Sequence, residues 1–131
     1  MTRPRLTLAV VLVLSLAAAA CSTGAEDTAT TDEFSVAAEG LCRTADVADD
    51  PTAAREVFYD TVHQALHQLA DDTAAEDRTA AAGLLEAKQR VEATLDTREP
   101  SLAAAVDDLV DATSRALATL DRPEPDCETT R

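Results

Sequence analysis

The chain has 131 residues, with 25 acidic side chains against 11 basic ones and a formal charge of −14. That length suits one domain around one core, and so acidic a surface excludes nucleic acid and anionic lipid headgroups as electrostatic partners. Only three aromatic side chains occur, Phe34, Phe58 and Tyr59, so the core has to be built mostly from Ala, Leu and Val.

Arg3 and Arg5 precede an apolar run from Leu6 to Ala20. The run falls short of the roughly 20 residues that span a bilayer. A basic start, a short apolar stretch and small residues at its end have the form of a secretory signal peptide over residues 1–20. Ala18-Ala19-Ala20-Cys21 resembles the lipobox of bacterial lipoproteins. In that class the invariant cysteine receives a diacylglyceryl group and the chain is cut just before it. The resemblance implies that Cys21 is a lipidated mature N-terminus, held in the cell membrane and facing the extracytoplasmic side. Removal of residues 1–20 takes Arg3 and Arg5 and no acid, leaving 9 basic against 25 acidic residues and a charge of −16.

Residues 21–31 read as the lipidated end and a flexible tether, because Ser22 to Thr31 is small, polar and aperiodic. The domain is expected over 32–128, with 129–131 as the end of the tail. Alanine is abundant there and only Gly40 and Gly83 interrupt it, which favours helix over strand. Thr30-Thr31-Asp32-Glu33 has the form of a capping box before a short first helix, whose stripe is Phe34, Ala38, Leu41, Ala45 and Ala48. Asp50-Pro51 supplies an N-cap and a proline at the first position of a second helix, with Phe58, Val62, Ala65 and Leu69 on one face and Leu66 widening it. A turn is expected near Asp71 to Glu76, where Thr73-Ala74-Ala75-Glu76 has the form of another capping box; a continuous helix through residues 66–80 is the alternative. The third helix carries Leu84, Val91 and Leu95, flanked by Ala80, Ala81 and Ala87. Glu99-Pro100-Ser101 opens the fourth, with Leu102, Val106, Leu109, Thr113, Ala116 and Leu120 on its stripe and its end near Leu120. Spacings of three and four make each stripe one face of an amphipathic helix. Short connections favour antiparallel neighbours, so the expected fold is all-α, an antiparallel up-down four-helix bundle with a C-terminal tail tethered by a disulfide.

The disulfide follows from counting and reach. With Cys21 taken by lipid, Cys42 and Cys127 remain as a pair in an oxidising compartment. Pro123 and Pro125 keep the segment after the last helix extended. Six residues at about 3.1 Å each span roughly 19 Å, enough to climb back along the first helix to Cys42.

Chemistry-bearing residues are few. His63 and His67, the only histidines, are four apart and share one side of the second helix, expected to face solvent. A His-x-x-x-His pair can hold a divalent transition metal, with Glu56 and Asp60 one turn away as further ligands. The zinc-protease signature is excluded, because Gln64 stands where a general-base glutamate would be needed. Lys88, the only lysine, sits on the edge of the third helix's apolar face, its stem on the core and its ammonium reaching water or a carboxylate. Thr113 is expected to bond back to its own helix. No nucleophile-base-acid arrangement or phosphate loop is evident. The expected function is therefore a non-enzymatic binding or accessory module without a cofactor, anchored in the lipid bilayer through Cys21 and serving another envelope protein. In its alanine-rich, lysine-poor composition the chain resembles small envelope lipoproteins of bacteria. A divalent-metal-binding protein using the His63/His67 face is the alternative.

Overall fold

The computed structural model describes the backbone of residues 25–97 and 101–128, with side chains from Glu33 onward. The expected signal peptide, the lipobox-like run and Cys21 lie outside the described residues. Among the described residues the protein is all-helical, without strands, and no helix is long and apolar enough to cross a membrane. The elements are α1 (Ala25–Asp46), α2 (Pro51–Val57), a π-helical turn (Phe58–Val62), α3 (His63–Glu76), α4 (Arg78–Thr97) and α5 (Leu102–Thr119). Because α2, the π turn and α3 run on without a break, they form one rod, and four helical rods make up the bundle.

The first rod differs from expectation. α1 spans Ala25–Asp46, 22 residues, so it is not short: residues 25–31 are helix rather than tether, and Thr30 stands inside the helix rather than at its start. The reason is cooperativity: once Phe34, Ala37 and Leu41 are packed, each further residue adds one hydrogen bond at little cost.

The second rod starts as its sequence dictates. Asp50 accepts hydrogen bonds through Oδ1 from the Thr52 and Ala53 amides at 3.0 and 3.2 Å, and Pro51 opens the helix. The π turn was not foreseen, yet its cause is in the spacing. Ala54, Phe58, Val62 and Leu66 are all buried, three successive steps of four. In a straight α-helix such a series drifts about 120° around the axis. The wider π turn, in which the His63 amide donates to the Phe58 carbonyl, takes up most of that drift and keeps the four side chains on one face.

A single extended residue, Asp77, separates α3 from α4. Its Oδ1 accepts from the Thr79 and Ala80 amides at 2.8 and 3.0 Å. The cap is thus Asp77 rather than the capping box expected at Thr73. Thr73 is fully buried inside α3, its hydroxyl donating to the Leu69 carbonyl. Buried Thr44, Thr94 and Thr113 do the same toward the carbonyls of Gly40, Arg90 and Leu109, so each hydroxyl enters the core already satisfied.

α4 packs on both α3 and α5, while α1 packs on α2, the π turn and α5. The core is mostly Ala, Leu and Val around Phe34 and Phe58. α5 ends in a Schellman arrangement: Arg122 donates to the Leu117 carbonyl and Asp121 to that of Ala118, with Asp121 at φ 54°. The tail then leads to Cys127, which is bonded to Cys42 with Cα atoms 5.0 Å apart. The expected disulfide and the expected end of the last helix are both present.

Helices lined by small residues approach closely, and Gly40 stands at one such approach. A Cβ there would lie 2.9 Å from Cγ2 of Val62 and would overlap the Thr61 hydroxyl, which is itself bonded to the Val57 carbonyl. At Gly83, in mid-α4, an added Cβ meets nothing within 4 Å. Urea unfolding should separate the two glycines. Gly40→Ala is expected to lower stability by about 1–3 kcal/mol through overpacking, and Gly83→Ala to raise it by about 0.5–1 kcal/mol through helix propensity. Equal effects of one sign would contradict this packing.

Candidate functional site

The polar groups that converge lie where α3 begins and α4 nears its end. The π turn places His63 at the first position of α3, turned toward α4. There its Nε2 lies 2.9 Å from Oε1 of Glu92. The same oxygen accepts from Lys88 Nζ at 2.8 Å, one turn earlier on α4. Lys88 is only 3% exposed, whereas Glu92 keeps 23% and His63 30% of their side chains open. The carboxylate therefore sits at the rim, with a buried ammonium beneath it and an imidazole beside it.

His67 follows one turn after His63, exposed, with ring centroids 5.1 Å apart and planes inclined at 76°. Tyr59 flanks His63 on the other side, its ring centroid 5.2 Å away. Arg55 lies over the Tyr59 ring at 4.9 Å and reaches Asp96 of α4 at 2.6 Å. The result is a row along the α3–α4 seam: Arg55, Tyr59, His63 and His67 on one rod, Asp96, Glu92 and Lys88 on the other.

The electrostatics fix the state of the imidazole. Burial first, then the Lys88 ammonium, push His63 below its ordinary pKa, against the opposing pull of Glu92. Both effects favour the neutral imidazole, in which Nε2, beside Glu92, is the nitrogen placed to carry the proton and Nδ1 the one placed to keep its lone pair. Chemically this is a carboxylate-oriented imidazole with one basic nitrogen open.

Of the residues expected at a site, His63 and His67 are brought together, but the pair does not simply face solvent: His67 does, whereas His63 is half-buried against α4. Glu56 and Asp60 are exposed. Among the described residues no three or more His, Cys, Asp or Glu side chains converge as a metal-holding group. Lys88 has its stem in the core and its ammonium on a carboxylate, as its position implied. Glu92, the hub, was missed. Its spacing of four from Lys88 was visible, but its contact with His63 depends on the π turn.

A concavity lies at the disulfide, between α1 and the tail. It encloses about 260 Å³ and is lined by Phe34, Ala38, Cys42, Leu117, Pro123 and Pro125 among others. The Arg122 guanidinium stands 4.9 Å from the Phe34 ring.

Two measurements test the seam. Glu92→Ala leaves Lys88 charged, buried and unpaired, and should cost about 2–3 kcal/mol in urea unfolding, reduced from the fully buried case because Glu92 touches water. Lys88→Met keeps the stem and removes the charge, and should change stability by less than about 1 kcal/mol. If Lys88→Met were the more damaging of the two, the ammonium would have a partner other than Glu92. The second test is pH. His63 is harder to protonate folded than unfolded, so its contribution is present above the unfolded value of about 6.5 and is lost as pH falls below it. In chelator-treated protein, His63→Gln should flatten the stability profile between about pH 6.5 and 5; an unchanged slope would assign it to other groups. No protein-family model, curated protein or solved structure matches the chain.

Proposed function

We propose that the protein is a lipid-anchored, extracytoplasmic accessory module without enzymatic activity, whose up-down four-helix domain stands clear of the membrane and serves a partner in the cell envelope. The observation that carries this reading is the use of the cysteines. The Cys42–Cys127 bridge takes two of the three, and the one outside it is Cys21, at the end of the lipobox-like run. An intramolecular disulfide suits an oxidising compartment. A diacylglyceryl group gives the two chains that stable anchoring requires.

The up-down order is supported by which residues meet. His63 and Glu92 lie 14 and 15 positions on either side of Asp77 and are in contact. Arg90 of α4 reaches Asp108 of α5 at 2.7 Å across the next connection. Pairs placed symmetrically about a connection are those that antiparallel neighbours bring together.

Intact-mass analysis of the membrane fraction from cells expressing the full chain provides the test. The expected species lacks residues 1–20 and carries a diacylglyceryl group on Cys21, and Cys21→Ser should release the protein from the membrane. A native mature chain that is soluble and unmodified at Cys21 would refute the anchor.

A further inference from the structure

We infer that His63 and His67 form a binding site for a divalent first-row transition ion, zinc or copper, in which Glu92 acts as the positioning residue for His63. This inference is independent of the anchor. It rests on three features of the α3–α4 seam.

The first is the separation of the rings. A metal–nitrogen bond of about 2.1 Å, added to about 1.1 Å from nitrogen to ring centre, puts each centroid about 3.2 Å from a shared ion. Centroids 5.1 Å apart then subtend about 105° at the ion, close to the tetrahedral angle that zinc adopts in protein sites. The rings are steeply inclined rather than stacked face to face, and His67 is exposed, so it can turn its edge toward the ion.

The second feature is the approach of His63 Nε2 to within 2.9 Å of Oε1 of Glu92. Histidines that ligate metals characteristically donate their other ring N–H to a carboxylate, which fixes the tautomer, orients the ring and raises the basicity of the free nitrogen. Here Nδ1 is the free nitrogen. Lys88 in turn holds the carboxylate through the same Oε1, so the support of His63 is itself supported from the core.

The third feature is charge. The Lys88 ammonium is paired with Glu92, and the chain as a whole carries −14, a field that raises the local concentration of cations. Two protein nitrogens leave the remaining coordination positions to water. Imidazole selects zinc, copper and nickel over magnesium and calcium, which prefer oxygen.

The test uses the full chain, purified without a polyhistidine tag and stripped with chelator, titrated with Zn²⁺ and with Cu²⁺ against a competing indicator. One tight equivalent is expected. His67→Ala, at an exposed position, should weaken it at least tenfold while the helical circular dichroism is retained. Glu92→Gln should weaken it about tenfold or more and alter the electron paramagnetic resonance pattern of bound Cu²⁺, a change that loss of stability alone would not produce. A Glu56→Gln/Asp60→Asn double variant should bind as the original does. Equal affinities for the original chain and His67→Ala, or no binding at all, would overturn the site. An affinity and copper spectrum unchanged in Glu92→Gln would overturn the role given to Glu92.

Discussion

The bond between Cys42 and Cys127 is the constraint on which the rest of the fold depends. It joins residues 85 positions apart, tying the C-terminal part of α1 to the segment that follows α5. In the chain-entropy model a loop of that length is worth about 4.5 kcal/mol, a large share of the 5–15 kcal/mol that typically separates folded from unfolded domains. An alanine-rich core with two buried phenylalanines buries less area per residue than an aromatic one, so the crosslink supplies what packing does not. It also dictates the path of the tail. Asp121 takes a left-handed conformation that ends α5 abruptly, after which Pro123 and Pro125 carry the chain along α1.

Two irregular places in the bundle, a close approach and a π turn, coincide. Small side chains let helices come close, and α1 meets the second rod where Gly40 faces Thr61 and Val62. That meeting lies on the π turn. The turn realigns an apolar face that would otherwise wind away from the core, and it delivers His63 to the first position of α3. A residue fewer in that turn would rotate His63 about 100° around its axis, away from Glu92. The packing of the core and the position of the imidazole thus have one cause.

Much of this was legible in the sequence, and the failures share a reason. The apolar stripes, the Asp50–Pro51 helix start, the end of α5 at Leu120 and the disulfide all rest on local spacing or on simple reach, which a single chain displays. What escaped depends on a neighbouring element. Residues 25–31 are aperiodic alone and become helical as an extension of a packed α1. Thr73 has the signature of a cap, but its position is deep in the core, and burial gives its hydroxyl to the Leu69 carbonyl while Asp77 caps α4. Glu92 is one acid among 25, and only the register between α3 and α4 singles it out.

That register is what the polar seam provides. Faces of alanine and leucine can slide past one another by a turn at small energetic cost, because small knobs fill almost any hole. Charged pairs are directional and lose most of their value when displaced by one turn, about 5.4 Å. Lys88, Glu92 and His63 meet at one carboxylate oxygen. Arg55 joins Asp96 one turn farther along α4, and Arg90 joins α4 to Asp108 of α5. The exposed pairs contribute little to stability, and the buried ammonium carries a desolvation penalty. Their joint effect is to make one alignment of the rods better than its neighbours. The lysine in an otherwise uncharged face of α4 is therefore tied to the histidine on α3: it holds the carboxylate that lies against the ring.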